Sequence, residues 1–491
     1  MKAFARSLSI PALALLILVP SLRVDAQNHF GPSGSASHEG ATPPANSSSG
    51  PTDPGPRAGT INAGTPLSTL TPAQLQFFQD GLSRFLQTDS VSGQMAGEPG
   101  VGLGPGFNSN SCASCHAQPA VGGSSPSTSF FPFVGPNPQV AVATDYGGAN
   151  SVPFFISLEG PVREARFPFV VSGGSVTSTP DGGVHDLFTI AGRQDAEGCV
   201  MPQPNFQEMN KLGNLIFRIP TPVFGAGLIE SIPDAAILAN MAANSSLKQQ
   251  LGITGHPNYS GNDGTITRFG WKAQNKSLEI FSGEAYNVEI GVTNENFPNE
   301  RNNPPSSCLY NPTPEDETNF TLSGDQIPSD IVEFSNFMRF LTPPAPSTQG
   351  IPGNPSPQSI AAGQAIFSQI GCAACHTPSL QTGPSNFTPG LSNQQAALFS
   401  DLLVHHMGSG LADNVSQGSA GPDEFRTAPL WGVGQRIFFL HDGRSTPSNG
   451  GLLNAIQAHS SSGSEANRVI NQFNNLSPNQ KQELLNFLRS L

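Results

Sequence analysis

The chain has 491 residues, too many for one ordinary core and enough for two or three domains, so a sizeable apolar interior is available to it. Charged residues make up only 12%, while 53 Gly and 46 Pro amount to about a fifth of the sequence, a content short of wholesale disorder that implies much irregular backbone. The formal net charge of -13 argues against nucleic acid and anionic lipid surfaces as partners.

The first residues read as a secretory signal: Lys2 and Arg6 are basic, Ser9 to Leu22 is mostly apolar, and Val24-Asp25-Ala26 offers a small-residue cleavage site. Pro11 and Pro20 interrupt the apolar run and leave it short of a membrane span. We therefore expect a signal peptide over 1–26, a periplasmic or otherwise exported mature protein, and no membrane span after cleavage. Residues 27–66 consist largely of Gly, Ser, Pro, Asn and Ala and read as a flexible leader, because they have little apolar surface to bury.

Thr71-Pro72 starts the first firm helix, a cap followed by proline in the first turn, with Leu75, Phe78, Leu82 and Phe85 at spacings of three and four. Asp330 to Leu341 reads as another helix, and Thr342 to Ser356 as a Pro/Gly/Ser-rich connection. A third begins at Ser356-Pro357, where Ile360, Gly363, Phe367 and Ile370 repeat the period and lead into Gly371-Cys372. The last runs from Ser477-Pro478 to Leu491, with Ser477 and Gln480 spaced as a capping box. The expected organisation is an N-terminal domain over 67–342, a linker over 343–355 and a second, related domain over 356–491. An imperfect repeat supports it: Arg218-Ile-Pro-Thr-Pro-Val-Phe-Gly225 resembles Arg426-Thr-Ala-Pro-Leu-Trp-Gly432, one copy downstream of each cysteine motif described next.

Cys112-Ala-Ser-Cys115-His116 and Cys372-Ala-Ala-Cys375-His376 each supply two thiols for thioether bonds to haem vinyl groups and an imidazole carried beneath the iron. A four-cysteine zinc site and thioredoxin-like redox pairs compete with this reading, but neither requires a His after both pairs. Cys199 and Cys308 are left over, and a structural disulfide is the default for such a pair in an oxidising compartment.

These motifs, with Gly102-Leu-Gly-Pro-Gly-Phe-Asn108, Phe269-Gly-Trp271-Lys-Ala-Gln274, Glu289, Arg426-Thr-Ala-Pro-Leu-Trp431 and Leu440-His-Asp-Gly-Arg444, resemble the di-haem oxidoreductase family. That family, once labelled thiol oxidoreductase, is a branch of the bacterial di-haem cytochrome c peroxidase superfamily, and the similarity runs from about residue 70 to the C-terminus. It implies a mainly α fold of two cytochrome c-like haem domains with long loops and short β-hairpin insertions. It also implies a peroxidase-type reaction, with one haem open to peroxide or another small oxidant and the other relaying electrons to or from a small redox protein. The cofactors expected are two covalently attached c-type haems, with calcium between the domains as an addition to which the sequence assigns no ligands.

By the same resemblance Glu289 matches the acid that moves a proton between peroxide oxygens, a task suited to a carboxyl within hydrogen-bond reach; an ordinary surface Glu is the alternative. Trp271 matches the aromatic residue between the haems, against a role in core packing. Arg268 could pair with a haem propionate or form a surface salt bridge. His459 stands where the peroxidases place an axial Met, a departure that lowers the potential of the second iron and puts simple peroxide scavenging in doubt. His405, His406 and Met407 are other donors that could cap an iron, at most one of them if they lie on a helix. His441 is expected beside the second haem, held by hydrogen bonds, and His185 and His256 are the remaining distal candidates for the first. A di-haem electron carrier without substrate turnover is the competing function. Thiol chemistry is disfavoured, because haem attachment consumes four cysteines and leaves no Cys-x-x-Cys pair.

Overall fold

A computed structural model describes residues 50–58, 63–127 and 135–491. The signal peptide and residues 27–49 of the expected leader lie outside the described residues. Among the described residues helix accounts for 31% and strand for 14%, so helix dominates the regular structure while more than half of that backbone is turn and loop. The abundance of Gly and Pro explains that balance, since both punctuate regular elements. Among the described residues the strands form eight small sheets of two or three strands each.

The four helices read from the sequence form where their caps place them. Thr71 and Gln74 make a reciprocal capping box in front of the Pro72–Leu86 helix, and Ser477 and Gln480 make another in front of Pro478–Ser490. The Ser356 hydroxyl accepts the Ser359 N–H at the start of Pro357–Gln369. Asp330–Phe340 is the fourth, with Ile331, Phe334, Phe337, Met338 and Phe340 buried.

These helices pack in two pairs built to the same plan. Pro72–Leu86 lies on Asp330–Phe340 with Gly81 at the crossing, where a Cβ would sit 2.2 Å from the Glu333 carbonyl oxygen. Pro357–Gln369 lies on Pro478–Ser490 with Gly363 at the crossing, where a Cβ would sit 2.0 Å from the Glu483 carbonyl oxygen. Only glycine admits so close a backbone approach. One turn after each glycine comes a buried phenylalanine. Phe85 meets Phe337 at 4.7 Å between ring centroids, and Phe367 meets Phe487 at 5.5 Å. Two separate apolar clusters grow around these pairs, a large one that includes Phe85 and Phe337 and a smaller one that includes Phe367 and Phe487.

The expected leader needs correction over its described part. Residues 50–58 are docked: Asp53 holds Arg489 through both carboxylate oxygens (2.6 and 2.7 Å), Thr52 N–H donates to Gln482, and Arg57 and Ala58 N–H donate to the carbonyls of Gly434 and Gly350. The segment lacks apolar mass, so composition alone read it as free; a buried ion pair and backbone hydrogen bonds hold it instead. The Pro/Gly/Ser connection after residue 342 is likewise packed, with Ile351 buried in the smaller cluster.

Candidate functional site

Each Cys-x-x-Cys-His motif follows the first helix of one pair and opens into its own cavity. Cys112, Cys115 and His116 line the first, which counts about 1130 Å³ of open space including its mouth; Cys372, Cys375 and His376 line the second, of about 1460 Å³. His116 lies 6.0 Å from the Phe85 ring and His376 lies 6.2 Å from the Phe367 ring, so the helix-pair phenylalanines buttress the two imidazoles alike.

The four thiols are divided between two cavities, which leaves no four-cysteine zinc site. Burial pushes Cys115 up to about 11 and Cys372 to about 12, opposite to the lowered pKa of a reactive redox pair. Cys199 and Cys308 form a disulfide away from both cavities.

Hydrogen bonding sorts the histidines. The Nδ1–H of His116 donates to the Gly123 carbonyl (3.0 Å), that of His376 to Phe399 (3.1 Å) and that of His459 to Ala455 (2.8 Å). A carbonyl only accepts, so each Nδ1 carries the proton and each Nε2 keeps its lone pair, the tautomer an iron ligand needs. Burial pushes His116 and His376 down to about 4 and lowers His459, favouring the neutral ring. His459 follows the Gly451–Ala458 helix and lines the second cavity.

The remaining histidines among the described residues have other partners. His405 and His406 lie on the strand Val404–His406, not on a helix, and face opposite ways. His405 reaches the second cavity, but Asp401 takes Nε2 (3.0 Å) and Glu465 takes Nδ1 (2.9 Å). Burial lowers its pKa, but Cys375 and then Asp401 outweigh that and raise it well above the usual value. His406 is half exposed beside Asp423, whereas Met407 lines the second cavity and is a second donor there. His441 also lines it, held by stacking on Phe425 at 4.3 Å rather than by the hydrogen bonds expected. His185 stacks on Phe167 and bonds Asp181, and His256 bonds Glu424; neither lines the first cavity.

Glu289 does line the first cavity, on a π-helical turn, Tyr286–Ile290, that continues the Leu278–Ala285 helix. Its backbone carbonyl accepts the N–H groups of Asn108 (2.7 Å) and Ser109 (3.1 Å), which ties the acid to the loop entering the first motif. Burial, reinforced by Glu164 and Glu284, pushes the Glu289 carboxyl up to about 8. Glu164 and Glu284, for which no local pattern is a signal, line the same cavity; Glu164 sits on a strand beside Arg166, and Glu284, on the Leu278–Ala285 helix, accepts from Gln274 at 3.3 Å.

Trp271 lines both cavities. Beside it, Asp413 joins Arg218 (2.6 Å) and Lys272 (3.1 Å) in a fully buried ion triad. The imperfect repeat takes on meaning here, because Arg218, Ile219 and Pro220 wall the first cavity as Arg426, Thr427 and Ala428 wall the second. Arg268 lies outside both cavities and is spent on Asp234 and the carbonyls of Ile232 and Ile266.

The family described as "Di-haem oxidoreductase, putative peroxidase" matches residues 191–491, more than half of the chain, including the second motif, Trp271 and Glu289. The chain belongs to this family. The match begins after the first motif. Comparison with curated proteins finds none that matches. Among solved structures, a chain of hydrazine synthase from Kuenenia stuttgartiensis is similar at 15% identity, covering 55% of this chain and 88% of that one, with a TM-score of 0.24, a likeness that carries no argument.

As a di-haem oxidoreductase, the protein can be asked whether its residues fit two haems. The donor sets do: each cavity pairs two unoxidised thiols with an imidazole whose Nε2 keeps its lone pair, and each has room for a macrocycle. The two sites differ in what else they hold. The second adds His459 and Met407, while the first holds no second histidine and has Glu289.

Proposed function

We propose that this di-haem oxidoreductase is an exported c-type cytochrome of peroxidase type, in which a small oxidant such as peroxide reacts in the first cavity and electrons enter by way of the second from a small redox protein. The asymmetry of the cavities carries the reading: the second is lined by two histidines that could hold an iron, His376 and His459, and the first by one, His116, together with a protonatable acid. Cys112 and Cys115 attach one haem and Cys372 and Cys375 the other. Residues 67–342 and 356–491 then act as two cytochrome c-like domains joined by 343–355, a division supported by the matched glycine crossings at Gly81 and Gly363.

When bound, the haems supply iron centres that exchange electrons. The chain does the rest. Reducing peroxide to two waters takes two electrons and two protons, and Glu289, whose carboxyl burial keeps protonated at neutral pH, can give its proton to the leaving peroxide oxygen while its other carboxyl oxygen takes the proton of the first. Trp271, in contact with both cavities, is placed to shorten the electron path between them. Export is supported by the basic and apolar start of the sequence and by the Cys199–Cys308 disulfide. Among the described residues no helix is long and apolar enough to cross a membrane.

The deciding experiment is electron paramagnetic resonance of the oxidised protein, made in a host that attaches c-type haem. One high-spin and one low-spin signal are expected. Two low-spin signals would point to an electron carrier, and absence of haem would refute the reading altogether.

A further inference from the structure

Four residues that meet at one turn have buried side-chain polar atoms left unpartnered. The turn is Val433–Gln435, which directly follows the second copy of the repeat. Arg57 comes to it from the docked N-terminal segment through its N–H on the Gly434 carbonyl (2.7 Å), and Gln118, two residues past His116, donates Nε2 to the Gln435 carbonyl (3.1 Å). The Nε and Nη2 atoms of Arg57 and of Arg436, both amide atoms of Gln435, and Oε1 of Gln118 are buried and have no hydrogen-bond partner among the described residues.

The two arginines are 2% and 7% exposed, and no ion pair forms with either among the described residues. Arg489 donates to the carbonyls of the same turn, at Gly434 and Arg436, and shows the contrast: Asp53 satisfies it in full. Burying a guanidinium without a counter-ion is costly, and two of them beside one turn compound the cost, which calls for an anion. Arg436 lines the second cavity, which fixes the side from which that anion comes. A haem presents two carboxylates along one edge, and a guanidinium fork suits a carboxylate.

We propose that Arg57 and Arg436 are the counter-ions of haem carboxylates at the second cavity, and that residues 50–58 form a strap which closes over that edge. The proposal rests on the reading of the second cavity as a haem site. It makes the N-terminal segment, the part with least apolar content, a component of the cofactor site. It also assigns the cation near the haem edge to Arg57 and Arg436 instead of Arg268.

The test uses the full haem-loaded chain and compares the wild type with Arg57→Met and Arg57→Lys by spectroelectrochemical titration and limited proteolysis. Removing a buried cation beside a haem disfavours adding an electron, so Arg57→Met should lower the midpoint potential of one haem and leave the other in place. It should also speed cleavage within 50–58. Arg57→Lys keeps the charge without the fork, and should give a smaller shift in the same direction, which serves if the Met variant does not accumulate. Two haems at unchanged potentials in a folded variant would overturn the proposal. So would a wild-type potential that moves with added inorganic phosphate, which would give the site to a free anion. Haem content, measured first, separates these outcomes from failure of the haem reading itself.

Discussion

The indole Nε1–H of Trp271 donates to the carbonyl of Ile219 at 2.9 Å. Ile219 belongs to the first copy of the repeat, and the backbone carbonyl of Trp271 in turn accepts the N–H of Arg426 (2.8 Å), the first residue of the second copy. One residue is thus clamped by both cavity walls. Trp271→Phe should cost about 1 kcal/mol through the lost hydrogen bond, allow both haems to load, and slow electron passage between them. Single-turnover stopped-flow at the two Soret bands reads the last effect; an unchanged rate would reduce Trp271 to a packing residue.

Glu289→Gln preserves shape and removes the titrating proton. Peroxide turnover is expected to fall by about 10²–10⁴, the range typical of a lost general acid–base, with haem content and the low-spin signal unaltered. Turnover within a few-fold of wild type would move the proton transfer elsewhere, with Glu164 the first candidate.

His459→Ala should convert the second haem from low to high spin, while Met407→Leu leaves the low-spin signal intact. The reverse pattern would make Met407 the ligand and restore a thioether-ligated, higher-potential relay.

Stability should fall as pH rises. Burial raises Asp89 and Glu289 to about 8, with Asp330 adding to the first and Glu164 to the second, and burial and Asp330 raise Asp316 to about 7. Each folded pKa lies above its unfolded value, so the associated stability is complete below about pH 4 and is lost as pH rises through 7 to 8. Urea midpoints of the haem-loaded protein should therefore be lower at about pH 8 than at about pH 5, and Asp89→Asn should flatten the difference.

Gly363→Ala places a methyl 2.0 Å from the Glu483 carbonyl oxygen, against backbone that has nowhere to go. A loss of about 3 kcal/mol is expected, with a comparable loss for Gly81→Ala, both read from chemical denaturation. Tolerance of alanine at either position would show that the helix pairs can slide apart.

Much of this was legible from short-range chemistry. Thr71, Ser356 and Ser477 marked helix starts because capping is a matter of three or four residues, and the cysteine motifs carried their spacing in themselves. The deeper likeness of the two halves was also written in the sequence, as Gly81-x-x-x-Phe85 against Gly363-x-x-x-Phe367 and Glu333-x-x-x-Phe337 against Glu483-x-x-x-Phe487, but periodicity treats such residues as ordinary apolar face and passes over the glycine. What stayed hidden depends on long-range closure. Nothing local says that Asp53 will find Arg489, that Glu164 will face Glu289, or that both nitrogens of His405 will be taken by carboxylates. Segments without apolar content looked free for that reason, and a histidine run looked helical because its strand partner, Glu424–Arg426, is distant in sequence.

The triad of Asp413 with Arg218 and Lys272 has a mechanical consequence. Its anion comes from the C-terminal part of the chain and both cations from the N-terminal part, and none of the three side chains is more than 2% exposed. Drawing the parts away from each other would strand charges in a dry interior, at a cost of about 3–5 kcal/mol for a broken buried pair. The triad therefore resists opening between the two parts, and on the proposed function the electron path between the cavities has a length that this buried charge cluster helps to hold.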